Sequence, residues 1–101
     1  MTDRIPGPDC ASMTDVRAGV DQVDRELVTL LVERFAYMNA AARIKPTREA
    51  VRDEARKSQV VANAVAAAEA AGLPAQPIAE LWDRLVEASI AYELATFDAR
   101  G

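Results

Sequence analysis

The sequence predicts an all-α chain, and two observations carry that prediction. Half of its 101 residues are hydrophobic but only 5% are aromatic, alanine is abundant and strand-forming runs are nearly absent, a composition that favours helix. Along its first half, Val16, Val20, Val23, Leu27, Leu30, Arg34, Met38, Ala41 and Lys45 follow one another at steps of three or four residues, the inward stripe of one long helix. Two cations, Arg34 and Lys45, interrupt that stripe. A buried ammonium or guanidinium is strongly destabilising unless an anion meets it, so a negative partner is expected inside the protein.

Each element can be justified in order. Residues 1–12, MTDRIPGPDCAS, hold two prolines and a glycine without periodicity and read as a flexible leader before a helical domain over 13–101. Asp9, Ser12 and Thr14 all offer N-cap oxygens, with Ser12 or Thr14 the better placed. The first helix runs to about Lys45, roughly thirty residues or ~45 Å. A helix of that length protrudes from so small a chain, and its stripe must be buried against another copy, so an intertwined homodimer is expected. From the pattern alone a coiled-coil pairing module is an equal alternative.

Pro46 stops the helix, because it cannot donate to the ladder and moves Lys45 out of the helical region. The connection that follows is short and polar, and a proline-started loop beside Lys45 is suited to ordering on ligand binding over 46–52. Asp53 is the expected N-cap of a second helix through about Ala71, with Val60, Val61, Ala64, Val65 and Ala68 inward and Gly72 as its stop. A third helix is expected from Pro77 to Phe97 or Asp98. Its apolar residues, Ile78, Leu81, Trp82, Leu85, Val86, Ile90 and Tyr92, cover more than one face and place it centrally. The alanine-rich VVANAVAAAEAA reflects close helix packing and high helix propensity.

Charge and composition exclude several function classes. The net charge of −4 and pI of about 4.8, with both signs interspersed, argue against nucleic-acid binding. No apolar run approaches the roughly twenty residues of a membrane span and the N-terminus lacks a signal-like apolar core, so a cytoplasmic location is expected. Cys10 is the lone cysteine and there is no histidine, which removes an internal disulfide, the common zinc sites and the Ser-His and Cys-His nucleophile pairs. Neither a metal nor a cofactor is expected. Any chemistry here is left to cations, carboxylates, amides and hydroxyls.

Those groups sit on unexpected faces. Arg34 and Lys45 are eleven residues apart, within about 20° on one face and ~16 Å along the axis, so both can address one pocket. Arg17 points about 100° away; it reads as a solvated charge, or in a two-fold dimer as a group reaching the partner's pocket. Asp53 shares a helix face with Arg56 and Lys57, and an ordinary Asp–Lys pair accounts for Lys57. Ser89 and Glu93 lie four apart on the stripe of Trp82 and Val86. Ser89 is suited to bonding back to a helical carbonyl, and Glu93 to an internal salt bridge with Lys45 or Arg34. A pocket of cations, one hydroxyl and one carboxylate suits a small dianion, and a reaction that needs only orientation and electrostatics.

The runs DVRAGVDQVDRELVTLLVERFAYMNAAARIK, VRDEARK and ELWDRLVEASIAYE resemble the all-helical chorismate mutase family of bacteria. The PDC leader, DVR and ERFAYMNAAARIK resemble its isochorismate pyruvate lyase branch in particular. The resemblance covers residues 9–98 and implies an intertwined dimer of three-helix chains with two active sites. It implies that Arg17 crosses to the partner's site to grip a substrate carboxylate, that Arg34 binds the other carboxylate, and that Lys45 donates to the ether oxygen of the breaking bond. It further implies Arg56 near the substrate carboxylate, Asp53 near the ring hydroxyl and Ser89 near the ring carboxylate. Chorismate rearranges to prephenate by a pericyclic shift without covalent or proton-transfer steps, so conformer selection and stabilisation of charge on the ether oxygen suffice.

This chain departs from the family pattern twice. Glu93 stands where many members carry glutamine as second donor to the ether oxygen, and an ionised carboxylate only accepts. A protonated, buried Glu93 would donate, and activity would then fall with rising pH. Lys57 replaces the glutamate with which mutases bind the ring hydroxyl, a glutamate the lyase branch also lacks. The VRDEAR segment looks more like the mutases. The expected function is therefore chorismate mutase, with isochorismate pyruvate lyase second, and as a third reading a non-catalytic helical dimer that binds a dicarboxylate or a partner enzyme.

Overall fold

A computed structural model describes residues 4–100, so the expected leader begins, and the expected domain ends, outside the described residues. Three helices follow in order: α1 (Met13–Ile44), α2 (Glu54–Ala70) and α3 (Ala75–Ala99), with three-residue 3-10 turns at Gly7–Asp9 and Arg48–Ala50. The chain divides into two compact units between Ala36 and Tyr37.

In the first unit Ser12 caps α1. Its hydroxyl accepts the Asp15 N–H at 3.2 Å, and the Asp15 carboxylate accepts the Ala11 N–H at 3.1 Å. This is a capping box shifted by one residue, in which two orphan donors are satisfied reciprocally. Of the segment expected as a flexible leader, residues 4–12 are described. Asp9 N–H donates to the Pro6 carbonyl at 2.9 Å, Arg4 reaches Glu26 at 2.6 Å, and Ile5 lies over Gly19, so residues 4–10 turn back along α1. Prolines and a glycine without periodicity set the turn, and the ion pair anchors its far end. Beyond this cover, the stripe of α1 is open to solvent in the single chain, with Val20, Leu27 and Leu30 at 52%, 50% and 58% exposure.

The second unit is built on an α2–α3 hairpin. Asp53 caps α2 as its position ahead of the alanine-rich run predicts, accepting the Arg56 N–H at 3.0 Å. The helix ends in a Schellman motif. Gly72, at φ +85°, lets Leu73 N–H reach the Ala68 carbonyl at 2.8 Å while its own N–H reaches Glu69 at 3.0 Å. The third helix starts at Ala75, two residues before the expected Pro77. N–H groups of the first turn have no intrahelical partner, so proline in that turn costs no hydrogen bond.

Val51, Val86 and Ile90 form the core of this unit, with Val60, Val61, Leu94 and Phe97 packed around them. Val51 belongs to the connection between α1 and α2, which therefore contributes a core residue. Arg48 pairs with Asp98 at 2.9 Å and Arg52 with Glu87 at 2.7 Å. This connection is a strap pinned across α3 by one apolar plug and two ion pairs. The expected central position of α3 holds for one face only in the single chain. Val86, Ser89, Ile90 and Glu93 are buried, whereas Leu81 and Tyr92 are exposed.

Candidate active site

The anion demanded by Lys45 is Glu93. Pro46 ends α1 so that Lys45 leaves the helix facing α3, and its Nζ lies 2.6 Å from Glu93 Oε2 and 3.4 Å from the Val51 carbonyl, to which it donates. Glu93 is 4% exposed, and the ammonium is the charge partner of its buried carboxylate. A buried carboxylate paired in this way is charge-compensated. Lys45 has three N–H groups, which leaves one direction beyond Glu93 and Val51.

Ser89, one turn before Glu93, is also 4% exposed, and its hydroxyl donates to the Leu85 carbonyl at 2.7 Å. The back-bonded arrangement expected for a helical serine is what this geometry shows. Together Lys45, Glu93 and Ser89 make a polar patch in an otherwise apolar face of the second unit.

The other expected site residues have the following surroundings, each within its own unit. The carboxylate of Asp53 is committed to the cap of α2, and the Arg56 guanidinium donates to Gln59 Oε1 at 2.7 Å on its own helix. Arg17 is exposed and Arg34 half-buried on the part of α1 that belongs to the first unit.

Lys57 does not pair with Asp53. The cap occupies the Asp53 side chain, and Lys57 Nζ crosses to α3, 2.6 Å from Glu87 and 2.9 Å from Asp83. Arg52 approaches the same Glu87 and also Glu54 at 2.9 Å. Hydrogen bonds first from Arg52 and then from Lys57 hold the Glu87 carboxyl down at about 2, and Glu87 followed by Asp83 raises Lys57. Asp98 likewise raises Arg48 through their direct bond. None of Arg48, Arg52, Glu87 or Asp98 stood out in the sequence. Pairs thirty or more residues apart depend on helix register, which local spacing does not report.

At its C-terminus α1 receives Arg100, whose guanidinium donates to the carbonyls of Ala42, Arg43 and Lys45 at 3.0, 3.3 and 2.9 Å. It also stacks on Phe97, 3.7 Å from the ring centre.

The described residues thus form three helices, with the Lys45–Glu93 pair and the buried Ser89 hydroxyl in the second unit. Residues 16–94 match the family described as chorismate mutase type II, and the chain belongs to that family. It is also similar to the isochorismate pyruvate lyase of Pseudomonas aeruginosa, 28% identical over 86 residues that cover 85% of each chain.

Proposed function

We propose that the protein is a chorismate mutase acting as an intertwined homodimer. The observation that carries this reading is Lys45, held at 2.6 Å by Glu93 and at 3.4 Å by the Val51 carbonyl with one N–H direction to spare. A fixed cationic donor of this kind stabilises the negative charge that grows on the ether oxygen as its C–O bond breaks and the new C–C bond forms. Arg34 of the same chain and Arg17 of the second copy bind the two carboxylates, with Arg56, Asp53 and Ser89 bordering the ring. Two carboxylates gripped at both ends select the folded conformer, which converts binding into orientation. The exposed stripe of α1 supports the dimer, since an apolar face of this extent on a small chain needs a partner.

Glu93, 2.6 Å from the Lys45 ammonium, stands where the family's second donor to the ether oxygen is expected. Glu93→Gln, an obligate donor of the same shape, is expected to raise the rate of prephenate formation from chorismate, and an unchanged or lower rate leaves Glu93 as the counter-ion of Lys45 alone.

Isochorismate pyruvate lyase is the second reading, favoured by the similarity to the P. aeruginosa enzyme. Elimination of pyruvate breaks the same kind of ether bond and uses the same clamps. Incubating the protein separately with chorismate and isochorismate, and quantifying prephenate, salicylate and pyruvate, decides between the two. Prephenate as main product supports the mutase, salicylate with pyruvate supports the lyase, and turnover of neither refutes both.

A further inference from the structure

The last turn of any helix leaves carbonyls without intrahelical donors, and Pro46 aggravates this at the end of α1 by removing the N–H that would return to Ala42. Those carbonyls are met from 55 to 58 residues away in the chain, by Arg100. One nitrogen, Nη1, lies within 3.3 Å of the Ala42, Arg43 and Lys45 carbonyls, so a single guanidinium closes the C-terminus of α1. A cation there is also favoured by the helix dipole. Arg100 is itself fixed, because its guanidinium stacks on Phe97, which packs against Val51, Val86 and Ile90. The same core presents the Val51 carbonyl to Lys45 Nζ.

We infer that Arg100 is a positioning residue for Lys45. Lys45 is gripped at both ends. Its backbone carbonyl is held by Arg100, and its ammonium by Glu93 and Val51, and both grips trace back to the apolar cluster of Val51, Val86 and Ile90. Ala42, only 1% exposed, leaves α1 no room to adjust by rolling at this point. Without Arg100 the terminal turn frays, and the ammonium loses its fixed distance to Glu93. The catalytic consequence rests on Lys45 being the donor to the ether oxygen, whereas the positional one does not.

Two readouts keep these separate in Arg100→Ala and the milder Arg100→Lys. The first is steady-state turnover of chorismate and of isochorismate. The second is the Lys45 ammonium resonance in nitrogen-15 NMR at low temperature, assigned by its disappearance in Lys45→Arg. Arg100→Ala is expected to retain wild-type helix content, to lower kcat about tenfold with KM within about twofold, and to lose the Lys45 resonance to solvent exchange. Arg100→Lys keeps one donor and no stacked plane, and falls between; it carries the test if the alanine variant does not fold. A lowered Tm with unchanged kcat and an intact Lys45 resonance overturns the inference, and leaves Arg100 as a structural cap. If the wild type turns over neither substrate, the proposed function fails, and the resonance alone decides the position of Lys45.

Discussion

The two units of this chain solve the burial problem in different ways. Residues 37–100 close a core of their own although Leu81 and Tyr92 stay exposed: α2 and α3 enclose Val86 and Ile90, Val51 plugs the core from the strap, and ion pairs surround it. Residues 4–36 do not. The leader covers Gly19 and its neighbours, but Leu27 and Leu30 remain half exposed or more. The same rule, apolar residues at helical spacing, thus yields a finished core in one unit and an unfinished face in the other. Periodicity tells which residues want burial but not whether their partner lies in the same chain.

Four perturbations sharpen this contrast. The largest effect is expected from Leu30→Asp. An unpaired carboxylate on the open stripe should weaken self-association by a factor of about a thousand, on the order of 4 kcal/mol, as read by sedimentation across a concentration series. A wild-type protein that is monomeric at all concentrations would remove the contrast itself. Next is Ile90→Ala, which hollows the finished core and should cost about 2–4 kcal/mol in denaturant unfolding, without altering the association constant. Asp53→Ala removes a local cap and should cost about 1 kcal/mol, with Asp53→Asn restoring most of it.

Titration of Glu87 is the subtlest. Its carboxyl is held at about 2, below its ordinary 4.5, so its contribution is fully present above pH 4.5 and is lost as pH falls towards 2. The group is solvent-accessible and the effect correspondingly small. Comparing acid unfolding of Glu87→Gln with wild type should show a shallower pH dependence in that window, and identical profiles would show that the strap is held by Val51 rather than by charge.

What the sequence disclosed follows the range of each interaction. The Asp53 cap, the Gly72 stop and the break at Pro46 act within five residues, and all three appear where local chemistry predicts them. The Lys45–Glu93 pair spans the fold, yet both partners advertised it by standing in apolar stripes. Lys57 gave a misleading signal, because a local carboxylate at the right spacing was already engaged as a cap while two distant ones were free to compete. Arg52, Glu87 and Arg100 gave none, since a charge on a solvated helix face looks the same whether or not a neighbouring helix will meet it.

The cluster of Lys57, Asp83, Glu87 and Arg52 has an evolutionary corollary. A glutamate at 57 on this scaffold would face Asp83 and Glu87 across the α2–α3 interface in place of the ammonium that pairs with both. Reversing the sign at 57 alone is therefore expected to repel α3, and a graft of a glutamate here is expected to be tolerated better when residues 83 and 87 are exchanged with it.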